Sequence, residues 1–533
     1  MSSKVPNLHE YEVFDLINQS TKPKSGVPGD LPQRLVKEFG PELSCPITMV
    51  FNTILNSSKE GIAKWPKQWK NEYGIPLAKI SDPQTIDDLR IISLTSFFSK
   101  VLERFIVQNL LKYIGPKIDP KQFGGIKGSS ISHYMIEMIN FILYNQDFNL
   151  PIAILACAVD FSKAFNRQNH HILVTKLADM GVPGWLINVV IGFLTERNLV
   201  LKYKEAEAER KALPGGGPQG TLLGLVLFLV LINDCGFSGK VKDIGGQITQ
   251  SKGKFVPSTF HAKYIDDLTL MEAINLNEAL IPDQNRALPA SYHDRTGHKL
   301  DPAFSQVYAQ IKDTETYAEL NEMKLNHSKM NFMLFNPAKK LDFTPTYDIG
   351  KSSLETAETM KILGIVLEND LSWNKNTNYI VEKAYKRLWM IKRLKYLGAK
   401  RDDLTDIYTK QIRSVLEFGV PIWNSSLTQQ NSQEIERVQK TFLHILLGRD
   451  YTDYQSALKI AKLDTLEDRR LQLCKSFAIK CSKHPKFSNW FQKTESQSIV
   501  TRSKKRKYKE PLCKTARFQK SPIPYLTNLL NNM

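Results

Sequence analysis

Three carboxylates in this chain are spaced so that a fold could gather them. Two are adjacent, in Lys263-Tyr264-Ile265-Asp266-Asp267-Leu268-Thr269-Leu270, between short alternating apolar runs that read as strand, tight turn, strand. An Asp-Asp pair is also ordinary turn chemistry, because Asp tolerates turn geometry. The third is Asp160. It closes Ile152-Ala153-Ile154-Leu155-Ala156-Cys157-Ala158-Val159, which is apolar almost throughout, as in a strand buried on both faces. With the hairpin of Asp266 and Asp267 beside that strand, three like charges would crowd one spot and repel by several kcal/mol. A multivalent cation relieves such repulsion, and oxygen-only ligands favour Mg²⁺ or Mn²⁺ over zinc. Two such ions roughly 4 Å apart can activate a hydroxyl and steady a leaving phosphate oxygen during in-line displacement. The chemistry implied is nucleotidyl transfer.

The elements around these acids must supply the rest of a site. Ile75-Pro76-Leu77-Ala78-Lys79 and Asp88-Leu89-Arg90-Ile91-Ile92-Ser93-Leu94 read as two strands across a polar turn. Lys79 and Arg90 could grip a triphosphate, Arg through its planar fork of donors, or be two solvated surface cations. Gln122 to Ser130 is a Gly-rich loop entering a helix over 131–144, able to approach a sugar-phosphate backbone or simply to turn tightly. Leu213-Pro214-Gly215-Gly216-Gly217-Pro218-Gln219-Gly220 lets backbone pass close to a ligand. Gln219 there offers a donor and an acceptor at the mouth of the next helix, whose N-terminus suits phosphate.

The bulk properties bound the class. The 533 residues are 42% hydrophobic and 24% charged, as in a folded protein with room for several subdomains. A net charge of +18 favours a polyanionic partner, although a ribosomal or chromatin protein would share it. Six scattered cysteines argue against a disulfide framework and for reduced thiols inside a cell. The start lacks a signal-peptide core, and the longest apolar run, 222–232, is too short to span a bilayer. Helices are expected over 31–55 (broken near Pro41 and Pro46), from Ser99 to about Tyr113, and over 170–180 and 183–196. Polar segments at about 236–259 and 275–316 read as loops.

The ordered set Val159-Asp160-Phe161-Ser162-Lys163-Ala164-Phe165, Gly217-Pro218-Gln219-Gly220 and Tyr264-Ile265-Asp266-Asp267 resembles reverse transcriptases, and in detail those of non-LTR (LINE-type) retrotransposons. The resemblance covers about residues 27–490. It implies an α+β, right-handed polymerase with fingers, an antiparallel palm sheet, a helical thumb and a basic C-terminal tail. The divisions expected are an N-terminal extension at 1–60, fingers and palm at 61–375, thumb at 376–450, and a C-terminal helical segment and tail at 451–533. By the same resemblance, Asp160, Asp266 and Asp267 bind two Mg²⁺ ions, with Mn²⁺ an alternative. Lys79 and Arg90 contact the incoming dNTP, Phe165 gates against a ribose 2′-hydroxyl, and Gln219, Gly220 and Tyr264 lie against the nucleotide. Lys329, in Leu325-Asn326-His327-Ser328-Lys329, lies near the departing pyrophosphate. Leu363 and Gly364, in Lys361-Ile362-Leu363-Gly364-Ile365, support the primer end. RNA template, DNA primer and dNTPs are the partners implied.

Helical stripes at 378–397, 402–418 and 431–447, the last capped by Asn431 or Ser432, fit a basic thumb. Asn166, Gly125 and Ile91 depart from residues common in relatives, but none replaces a metal ligand. Fewer than 80 residues precede Lys79, so no endonuclease-like region is expected ahead of the polymerase, nor RNase H-like acids behind it. Cys474, Cys481 and His484 are not spaced as a zinc knuckle. Arg502-Ser503-Lys504-Lys505-Arg506-Lys507-Tyr508-Lys509 reads as an exposed basic stretch: a nuclear-import signal, a phosphate-binding arm or a solubilising patch. Two rival readings are a catalytically inactive nucleic-acid-binding remnant of a retroelement and an RNA-dependent RNA polymerase; Phe165 speaks against the latter.

Overall fold

The computed structural model describes residues 4–19, 26–85, 88–148, 150–213, 215–236, 259–275, 305–337, 346–349, 352–494 and 507–533. The chain opens with α1 (Glu10–Asn18), α2 (Gln33–Glu38) and α3 (Gly40–Ser57). The expected break between 31 and 55 falls at Phe39 instead of at the prolines. Pro41 lies in the first turn of α3, where its missing N–H costs nothing, and Pro46 is carried inside the helix. A hairpin follows, β1 (Asn71–Ala78) and β2 (Leu89–Leu94), with Leu77 opposite Arg90. The chain continues through α4 (Phe97–Ile114), α5 (Ile131–Gln146), β3 (Ile152–Val159), α6 (His170–Asp179) and α7 (Gly184–Leu194). Next, β4 (Arg197–Tyr203) adds to β1 in parallel, and β5 (Ala206–Glu207) and β6 (Lys211–Leu213) pair with β4. The apolar run 222–232 is α8 (Leu222–Ile232), buried nearly throughout. Among the described residues no helix is long and apolar enough to cross a membrane.

The second sheet carries the acids. After β7 (Thr259–Tyr264), β8 (Asp267–Asn275), α9 (Gln306–Leu320) and β9 (Asn331–Phe335), the strands align in the order β7-β8-β3-β9, every pair antiparallel. β3 is therefore an inner strand, and its alternation feeds two cores. Ala153, Leu155, Cys157 and Val159 pack with Leu102, Leu177, Val189 and Leu227 of α4, α6, α7 and α8. Ile152, Ile154 and Ala156 pack on the opposite face, in the core that holds Ile139 of α5. The α+β expectation with an antiparallel sheet agrees with this architecture.

Two small hairpins follow, β10 (Thr346–Ile349) with β11 (Ser352–Glu355), and β12 (Thr359–Ile362) with β13 (Ile365–Glu368). The helices behind them are α10 (Asn374–Tyr396), α11 (Arg401–Ile407), α12 (Gln429–Leu447), α13 (Tyr454–Ala461), α14 (Leu466–Lys483) and α15 (Pro522–Asn531). In α10, Ile380, Ala384, Leu388 and Ile391 are buried at helical spacing against the second core. α11 runs on through a π-helical turn, Tyr408–Arg413, into Ser414–Leu416. The cap of α12 is Thr428, whose Oγ1 accepts from Asn431 N at 3.1 Å, not Asn431 or Ser432. Asn431 is buried and spends its side chain on Asn374 of α10 at 3.0 Å.

Of the two segments read as loops, residues 237–258 and 276–304 lie outside the described residues. The remainder of the second is a correction: 306–316 belongs to α9, capped by Ser305 and by buried Glu272, which accepts from Gln306 N at 2.6 Å. Arg502, Lys504, Lys505 and Arg506 also lie outside the described residues. Of that stretch Lys507 and Lys509 are exposed as expected, but Tyr508 is buried and bridges to Lys493, and the chain then returns to the second core through Phe518, Ile523, Leu526 and Leu530.

Candidate active site

The turn between β7 and β8 is two residues long, Ile265 and Asp266, with Tyr264 paired to Asp267. Ile265 takes a left-handed φ of 62°, a costly place for a β-branched residue that only its surroundings can enforce. Those surroundings are the Gly-rich loop. Phe123 N donates to Lys263 O at 2.8 Å, Lys263 N to Lys121 O at 2.9 Å, and Ile265 N to Gln122 Oε1 at 3.2 Å. A Cβ on Gly124 would stand 2.6 Å from Ile265 N, so only glycine lets the loop lie flat on the turn.

A buried ion pair holds the same hairpin from behind. Lys263 is wholly buried, 2.7 Å from Asp119 Oδ2, and donates to the carbonyls of Ile232, Asn233 and Cys235 at the C-terminus of α8. Burial penalises the Asp119 charge, yet His261 and Lys263 together hold it well below the usual carboxylate range. No short window of sequence shows this pair, since Asp119 and Lys263 are far apart in the chain.

Register brings the acids together. Val159 on β3 lies opposite Leu268 on β8, so the next β3 position, Asp160, reaches the level of Asp267. Asp160 O accepts from Asn326 N at 2.8 Å, and Ser162 N donates to Lys324 O at 2.7 Å, which stitches the Leu325–Lys329 segment beside the strand end. Lys329 ends a short helical turn there and is exposed. Burial first, then Asp160, raises Asp266 above its ordinary range, while Arg90 opposes the rise. Asp267 keeps much of its surface open but is pushed up to about 6 by the surrounding protein and by Asp266 and Asp160. Arg90 on β2 is thus within electrostatic reach of the acids. Lys79 continues the same hairpin, its N–H bonded to Asp88 O at 2.7 Å.

The residues expected beside the nucleotide are tied to one another through backbone. Gln219 O accepts from Ser93 N at 3.0 Å, three residues after Arg90, and Gly217 N donates to Phe165 O at 2.8 Å. Gly220 takes φ +115°, and α8 starts immediately behind it under a Thr221 cap. Buried Glu103, raised by desolvation, accepts from Leu223 N at 3.2 Å and so supports the start of α8. Tyr264 is half-buried, its ring edge-on to Tyr134 at 6.1 Å. Leu363 and Gly364 form the two-residue β12–β13 turn, with φ of 49° and 88°.

As the side chains stand, no three His, Cys, Asp or Glu among the described residues form a ready metal cage. The donor set still suits a hard divalent cation. The carboxylates offer only oxygen, and two of the three are raised with neighbouring acids among the causes, a cost that a bound cation offsets. Mg²⁺ in particular is held by one or two carboxylates plus substrate phosphates and water, not by a closed protein cage. Cys481 instead faces His133 Nε2 at 3.3 Å, and burial pushes the thiol up to about 12 and the imidazole down to about 4. That pair is neutral and structural.

Residues 79–367 match the family model described as reverse transcriptase (RNA-dependent DNA polymerase). The chain is 22% identical over 451 residues to the RNA-directed DNA polymerase from mobile element jockey of Drosophila melanogaster, covering 82% of this chain and 44% of that protein. It is 22% identical over 480 residues to the probable RNA-directed DNA polymerase from transposon X-element of the same organism, covering 86% and 47%. The chain thus spans less than half the length of these curated relatives. A solved structure of telomerase from Candida tropicalis with a TWJ fragment of telomeric RNA is similar at 11% identity and a TM-score of 0.38, covering 85% of this chain and 67% of that one.

Proposed function

Because the chain belongs to the reverse transcriptase (RNA-dependent DNA polymerase) family, we propose that it is an RNA-directed DNA polymerase of the non-LTR retrotransposon type. It extends a DNA primer on an RNA template with dNTPs. The observation that carries this reading is the meeting of Asp160, Asp266 and Asp267 at the ends of adjoining antiparallel strands, within reach of Arg90. Reverse transcriptases generally use divalent metal ions, and here Asp160, Asp266 and Asp267 would hold two Mg²⁺. When bound, these ions neutralise charge on the reacting phosphate. In the reaction the primer 3′-oxygen bonds to the α-phosphorus, the bond to the β-phosphate oxygen breaks, and pyrophosphate leaves. Lys79 and Arg90 grip the triphosphate, and Lys329 stands by the pyrophosphate. Phe165, Gln219, Gly220 and Tyr264 bound the nucleotide, and the Leu363-Gly364 turn supports the primer end. The hairpin of Lys79 and Arg90 acts as fingers, the acid-bearing sheet as palm, and α10 to α12 as thumb.

The test is primer extension on an RNA template with dNTPs and Mg²⁺. The wild-type chain should extend, and Asp266→Asn should extend at least about 1,000-fold more slowly while duplex affinity stays within roughly twofold. A variant that extends near the wild-type rate overturns the assignment. A wild-type chain that binds duplex without extending it is the inactive remnant.

A further inference from the structure

Sugar choice, on the reading above, falls to Phe165, and that residue does not hold its own ring in place. Its main chain is pinned, because its carbonyl accepts from Gly217 N at 2.8 Å, while its side chain is only half-buried. The ring lies face-on against Phe228, with centroids 4.5 Å apart and planes 19° from parallel. Phe228 is wholly buried near the middle of α8. α8 is fixed at both ends: Thr221 Oγ1 and Glu103 accept its first amides, and Lys263 takes its last carbonyls. Of the two rings, therefore, the half-buried one rests against a neighbour that is itself fixed.

We infer that Phe228 is a positioning residue for sugar selection, its immobile face setting the plane of the Phe165 ring and hence its approach to C2′ of the incoming nucleotide. This rests on Phe165 being the gate. It goes further, by placing part of the discrimination on a side chain that touches no substrate. It also links that discrimination to the Pro218-Gln219-Gly220 turn, which leads directly into the helix that carries Phe228.

The experiment is single-nucleotide incorporation with dNTP and rNTP, giving the ratio of kcat/KM values for wild type, Phe165→Ala, Phe228→Leu and the double variant. Phe165→Ala should lower the preference for dNTP strongly. Phe228→Leu should lower it roughly three- to tenfold, the orienting worth of one aromatic pair. In the Phe165→Ala background it should change the ratio by less than about twofold, because the ring it acts on is gone. If Phe228→Leu slows both nucleotides equally, Phe228 is core packing alone and the inference is overturned. If Phe165→Ala leaves the ratio unchanged, the gate reading itself fails. Should Phe228→Leu melt out, Phe228→Met removes the ring with a side chain that adapts to the cavity and decides the same ratio.

Discussion

Crowding gives Asp267 a charge that changes within the range of ordinary assays. Its proton is held up to about 6, first by burial and then by Asp266 and Asp160, against an unfolded value near 3.9. The folded state therefore binds the extra proton between about pH 4 and 6, and stability falls as pH rises through that window. Asp267→Asn should accordingly raise Tm at pH 7.5, with the gain gone below about pH 4, as thermal melts at both pH values would show. Extension by the wild type should fall as pH drops through about 6, and extra Mg²⁺ should move that midpoint lower, since cation and proton compete for the carboxylate. A midpoint indifferent to Mg²⁺ would remove Asp267 from the proposed ion site. The acids were legible in the sequence because strand alternation and turn chemistry are local. Phe228 was not, because it is one apolar residue in a run of eleven and only packing singles it out.

At the scale of elements, the β7–β8 hairpin depends on partners that no short window of sequence contains. Lys263→Met would leave the buried Asp119 with only His261 and the Lys121 amide against its charge, at a cost of about 3–5 kcal/mol. Adding Asp119→Leu should recover most of that loss, because an apolar pair of similar size replaces a buried ion pair at little cost. Urea unfolding of the two variants distinguishes this from a surface pair, for which neither change would matter. The helices that the sequence displayed best, α5, α7 and α10, are those with long apolar stripes. α9 was missed because its buried face, Val307, Gln310, Ile311, Thr314 and Ala318, mixes polar residues into the stripe. The spacing of those five positions was nonetheless helical.

For the molecule as a whole, the second core is closed by residues remote from the sheet in sequence. Asp147, just after α5, accepts from Lys514 N and Thr515 N at 2.9 and 2.7 Å, and Leu526 of α15 is fully buried in the core that holds Ile139 and Ile154. Leu526→Ala should therefore cost about 2–5 kcal/mol in urea unfolding. A negligible cost would mean that α15 is a loosely attached appendage. This closure also orders events in time. On the ribosome, β9, the last strand of that sheet, emerges roughly 190 residues before α15, an interval of about 10–40 s at ordinary elongation rates. For that whole interval the core behind one face of the acid-bearing sheet is incomplete. A message broken short of α15 would yield a protein whose acids are all present while the second core lacks Leu526 and its neighbours.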